Sequence, residues 1–67
     1  MIIEEYQENY KNYFMFITVH HSLIEVSMHN YFDDDFEYRN KFIDYSPKEV
    51  SKILRHYIDN YEEQAIA

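Results

Sequence analysis

The sequence predicts an α+β domain, a three-stranded antiparallel β-meander packed against a C-terminal α-helix, with a short helix at the N-terminus. Three observations carry this reading. A complete helix start stands at Ser46-Pro47-Lys48-Glu49, and apolar residues follow it at helical spacing. Two segments in the middle of the chain are rich in Phe, Ile, Val, Thr and Tyr, the residues that suit a pleated, half-buried surface. An acidic triplet, Asp33-Asp34-Asp35, separates the second of these from a third.

The helix is the best-marked element. Ser46 suits the N-cap, Pro47 the first helical position, and Glu49 the third, closing a capping box. Val50, Ile53, Leu54, Tyr57, Ile58 and Tyr61 then recur at spacings that place them on one helical face. The expected span is Pro47 to Glu62, with Glu63 to Ala67 fraying. Residues 13–20 and 23–31 are expected to form a hairpin turning at His21-Ser22. Val19 then faces Ile24, Ile17 faces Val26, and Met15 faces Met28, all on one side. A one-residue slip would scramble that set. His-Ser is a poor pair for a tight turn, so a longer loop is the alternative. The third strand is expected from Phe36 to Tyr45. Pairing Phe32 with Phe36 puts Phe42 opposite Val26 and Tyr38 opposite Asn30. In the first dozen residues Ile3, Tyr6, Tyr10 and Tyr13 fit helical spacing, with Glu4, Glu5, Glu8 and Lys11 polar.

The 67 residues make a single domain, 1–67. So short a chain buries a small share of its surface and is marginally stable. With no cysteine there is neither a disulfide nor a thiolate metal site, and aromatic mass is what remains to build a core. Tyr 8 and Phe 5 supply it, at roughly 150–250 Å² of buried surface each. The net charge of −7 argues against direct binding to nucleic acid or to an anionic membrane, both of which call for a basic patch. No apolar run reaches the length of a membrane span, and the N-terminus lacks the basic start of a signal peptide, so a cytoplasmic protein is expected.

Motifs for chemistry are missing. With Gly 0 there is neither a phosphate-cradling loop nor a nucleophile elbow around Ser22, Ser27, Ser46 or Ser51. His20, His21, His29 and His56 show no metal-ligand spacing and read as surface residues. The acidic triplet lacks the alternation, central Gly and late Glu of a calcium loop. No catalysis, cofactor or metal is therefore expected.

The sheet face away from the helix is expected to carry Phe14, Phe16, Leu23, Tyr31, Ile43 and Tyr45 among polar residues, more apolar mass than a solvated face normally shows. The N-terminal helix is the first candidate to cover it. A homodimer interface is the second, and a partner-binding face the third.

Phe, Tyr, Met, Ile, Asn and Lys make up 33 of the 67 residues, a codon bias that points to an AT-rich genome. In size, charge and this bias the chain resembles small acidic proteins that phages and mobile elements direct against DNA-handling host enzymes. These are anti-CRISPR proteins, anti-restriction proteins and inhibitors of uracil-DNA glycosylase, some of which imitate the charge of DNA. The resemblance implies an inhibitor acting in the host cell cytoplasm on a protein with a basic nucleic-acid-binding groove, such as a CRISPR effector nuclease. Asp33, Asp34, Asp35, Glu37 and Asp44 are the expected docking carboxylates, with Tyr31, Tyr38 and Tyr45 adding contact area beside them. The alternative is a structural or regulatory homodimer, antitoxin-like or an assembly factor, that uses the apolar sheet face.

Overall fold

A computed structural model describes residues 2–66, with side chains described as far as Glu63. Four strands precede one helix: β1 (Ile2–Tyr10), β2 (Tyr13–His20), β3 (Leu23–Asn30), β4 (Tyr38–Ile43) and α1 (Pro47–Ile66). The strands form one antiparallel sheet in chain order, and α1 lies across one of its faces. The body measures 40 × 20 × 15 Å.

The N-terminal segment is a strand where helical spacing predicts a helix. Tyr6 and Tyr10 are four residues apart, and four is close to one helical turn but also two full periods of a strand. The ambiguity is settled by the edge of β2, whose backbone groups would otherwise lie unpaired. β1 pairs along it from Ile2–His20 to Tyr10–Tyr13, with one irregularity between Ile2 and Glu4. Tyr6 and Tyr10 then pack beside the core from the sheet edge. The two strands join through Lys11-Asn12, and Lys11 takes a left-handed backbone (φ 54°), which costs a side-chain-bearing residue about 1–2 kcal/mol.

The central hairpin keeps its predicted register, with Val19–Ile24, Ile17–Val26 and Met15–Met28 as partners. Neither His21 nor Ser22 has a positive φ, so the connection is an open bend rather than a left-handed tight turn. The third pairing is displaced by two residues. Phe42 lies opposite Ile24 rather than Val26, and Tyr38 opposite Met28 rather than Asn30. A two-residue shift leaves every side chain on its own face, so the apolar pattern does not distinguish the two registers. The loop decides. Phe36 does not pair with Phe32 but turns inward between Tyr13 and Tyr61, at ring distances of 5.2 and 5.3 Å, and Phe32 is left 82% exposed. Because Phe36 anchors the loop, β4 begins only at Tyr38 and ends at Ile43, short of the expected Phe36–Tyr45.

The helix opens on its predicted cap. The Ser46 hydroxyl accepts from the Glu49 N–H, and the Glu49 carboxylate accepts from the Ser46 N–H, both at 3.2 Å. It runs on to Ile66, so residues 63–66 continue it instead of fraying, while Ala67 lies outside the described residues. Val50, Leu54 and Ile58 are fully buried against Met15, Ile17, Ile24, Val26, Met28 and Phe42. Burial of a side chain of this size stabilises by roughly 1.5–3 kcal/mol. Ile53, Tyr57 and Tyr61, expected on the same face, lie at its margin and stay partly exposed.

Candidate functional site

The 20-residue helix starts at the far end of β4 and runs back along the sheet for about 30 Å, at ~1.5 Å per residue. Its C-terminal turns therefore arrive beside loop 31–37 and the Lys11-Asn12 turn. This return gathers carboxylates from two segments, loop 31–37 and the end of α1, at one end of the molecule.

Loop 31–37 holds the first group. The Asn30 side-chain oxygen accepts from the backbone N–H of Phe32 (2.7 Å) and of Asp33 (3.0 Å). An Asp33 carboxylate oxygen accepts from the Asp35 N–H (3.0 Å), and the Asp33 carbonyl accepts from the Phe36 N–H (3.1 Å). Short polar side chains thus shape the loop from within, and Phe36 pins it to the core. Asp33, Asp34 and Asp35 are all exposed. Glu37 follows and pairs with Arg39 at 3.0 Å on the surface.

The helix brings Asp59, Glu62 and Glu63. Asp59 accepts from the Tyr10 hydroxyl (3.1 Å) and forms an ion pair with Lys11. The Lys11 ammonium holds the Asp59 carboxyl below its ordinary value of 3.8, and Asp59 in turn raises Lys11 above 10.5. Burial first, and then the Glu62 carboxylate, push the Tyr13 phenol up. The last turn has no basic residue, although the negative end of the helix dipole favours a cation there. This end holds seven acids (Asp33, Asp34, Asp35, Glu37, Asp59, Glu62, Glu63) against two bases (Lys11, Arg39). Its net −5 is most of the chain's −7, and both bases are already paired.

The eight residues expected to dock are divided by the fold. Asp33, Asp34, Asp35 and Glu37 share the acidic end, with Tyr31 close by on the open sheet face, where its ring packs 4.8 Å from Phe14. Tyr38 faces the helix instead, half-buried at 4.6 Å from Tyr57. Asp44 and Tyr45 follow the other end of β4, six residues or about 20 Å away. Asp44 has φ 65° in the bend before the helix, and Tyr45 packs against Phe42. Asp59, Glu62 and Glu63 take the place of Asp44 at the acidic end. Their recruitment depends on the length of the helix, which the apolar repeat specifies as far as Tyr61, and on its return along the sheet, which is a tertiary contact.

The sheet face opposite the helix is a second surface. Phe14 packs against Phe16 (5.6 Å) and stacks on His29 (5.2 Å), whose Nε2 lies 3.0 Å from the Ser27 hydroxyl. His20 Nε2 lies 2.6 Å from a Glu25 oxygen but off the line of a hydrogen bond. A shallow hollow of about 710 Å³ opens beside Phe16, lined also by Thr18, Glu25, Ser27, Arg39 and Lys41. The N-terminal segment, expected to cover this face as a helix, extends the sheet instead, and nothing among the described residues lies over it.

Among the described residues no three His, Asp or Glu side chains stand close enough to hold a metal ion. No helix among them is long and apolar enough to cross a membrane. No family model matches the chain, and the searches of curated proteins and of solved structures found no match either.

Proposed function

We propose that the chain is a small acidic inhibitor that binds a protein, docking its carboxylate end into the basic nucleic-acid-binding groove of a host defence enzyme of the anti-CRISPR or anti-restriction type. The observation that carries this reading is the convergence of loop 31–37 and the end of α1. It concentrates net −5 at one end of a body only 20 × 15 Å in cross-section. Duplex DNA carries one charge per ~1.7 Å, or about twelve over 20 Å. The seven carboxylates supply a little over half of that density, so charge steers the encounter and apolar contact must add affinity. Phe32 and Tyr31, exposed beside the acids, are placed to do so. The negative charges at the helix C-terminus oppose the helix dipole, a stability cost that recognition by a basic groove would explain.

The test is capture of a DNA-binding enzyme on the immobilised protein, from a lysate of low-GC bacteria carrying a CRISPR system. Duplex DNA and raised salt should each release the captured enzyme. Reversing Asp34, Asp35 and Glu37 to Lys, which leaves the Asp33 carboxylate in its loop, should abolish capture without altering the circular dichroism spectrum. Capture that survives this reversal would remove the acidic end from the mechanism.

A further inference from the structure

The open sheet face has a pattern that its cross-strand rows make explicit. One row runs Glu5, Thr18, Glu25, Lys41 from β1 to β4, and the next runs Gln7, Phe16, Ser27, Arg39. The face is therefore acidic or neutral at its β1 border, while its β4 border carries Lys41 and Arg39, the second already paired with Glu37. Phe16 projects from β2, 47% exposed, beside the hollow in which Ser27 is the small residue on β3. Such a face, with a projection on one side of its midline and a hollow on the other, is complementary to a reversed copy of itself.

We propose that the open face is a homodimer interface in which two copies pack sheet against sheet about a two-fold axis parallel to the strands. This axis reverses the order of the strands but leaves each row level with its own copy. β1 comes to lie over β4 of the second copy. Glu5 then meets Lys41, Phe16 enters the hollow over Ser27, and Phe14 meets His29, each contact occurring twice as two-fold symmetry requires. An axis running across the strands fails, because it sets β1 on β1 and the Arg39–Lys41 border on itself. The face is about 20 × 27 Å, from four strands ~4.8 Å apart and eight residues at ~3.3 Å. That is on the order of 500 Å² in flat projection, before side-chain relief is counted, against roughly 800 Å² per partner in a standard interface. Sheets packed in this way stand ~10 Å apart. The two acidic ends lie side by side at about that distance, a little over the ~8 Å screening length, so physiological salt reduces their repulsion to about a third and the dimer should tighten as salt rises. The carboxylates of the acidic end stay outside the contact, while Tyr31 lies on the face it covers; the interface does not depend on the inhibitor reading.

The ion pair gives a specific test. Within one copy Glu5 and Lys41 are three strand spacings apart, about 14 Å, and neither has an ion-pair partner among the described residues. They can couple only across the interface. Sedimentation equilibrium at 150 mM salt should give twice the 8.4 kDa chain mass at tens of micromolar. Phe16→Glu should weaken the dimer at least about 100-fold, since each dimer carries the change twice. Glu5→Lys and Lys41→Glu should each weaken it about three- to tenfold, and the two combined should restore it. A mass of 8.4 kDa that holds up to about 1 mM overturns the interface. So does a dimer that survives Phe16→Glu, and a double reversal no tighter than its parents overturns the two-fold arrangement.

Discussion

The two faces of the sheet are built from alternating residues of the same strands, yet they are different materials. The covered face has an aliphatic centre, with Met15, Ile17, Ile24, Val26 and Met28 at 3% exposure or less beneath Val50, Leu54 and Ile58, and a border of rings from Tyr6, Tyr10, Tyr13, Tyr38 and Phe42 that the helix also covers. The open face is aromatic and charged, with Phe14, Phe16, His29 and Tyr31 in contact with one another at ring distances of 4.8–6.0 Å. Aliphatic side chains gain little unless another element covers them. Rings can shield one another while keeping an exposed edge. A chain of this size stands on its covered face and has its uncovered one free for contact with others.

Substitutions can break that contrast. Leu54→Ala should have the largest effect, about 2–5 kcal/mol of lost stability in a urea melt. A 67-residue domain has only roughly 3–10 kcal/mol in total, so this variant should sit near the edge of folding at room temperature. Ser46→Ala should remove about 1 kcal/mol, because it opens the capping box that starts the covering helix. Phe16→Ser, measured at sub-micromolar concentration, should change stability by less than about 1 kcal/mol. A Phe16→Ser loss as large as that of Leu54→Ala would erase the distinction between the faces. The smallest effect should come from the Lys11–Asp59 pair, which is exposed and screened by solvent. Asp59 titrates below its ordinary 3.8, so its contribution is present above that pH and is lost as pH falls through the folded value. Lys11 titrates above 10.5, so its contribution holds below that pH and is lost as pH rises through the folded value. Urea midpoints followed from pH 5 to pH 2 should fall less steeply in Asp59→Asn than in the native chain.

The covered face was nearly all legible in the sequence. Period 3.6 after a capping box and period 2 in the central hairpin each admit one solution, and the structure adopts both. Two other features were not legible, for definable reasons. Tyr6 and Tyr10 satisfy both periods at once, so only the unpaired edge of β2 decides between them. The register of β4 could slip by two residues without moving any side chain to the wrong face, and the inward turn of Phe36 that prevents this is a tertiary contact. Of the residues expected to dock, the triplet and Glu37 lie together at one end of the structure. Asp44 was grouped with them by sequence distance, although a strand separates them in space.

The meander also bears on how the fold is reached. Each strand pairs with the one before it, so the whole sheet is assembled from neighbouring hairpins, the sheet topology with the least separation in sequence between paired strands. The helix is different. Ser51 and Arg55 bond to Glu8, and Asp59 to Tyr10, across 43 to 49 residues. On a chain emerging from the ribosome, α1 is made after all four strands, and until it arrives the face of the sheet that it covers stays open. The helix therefore acts as a late latch, and the interval before it closes is when the nascent chain is most exposed to aggregation.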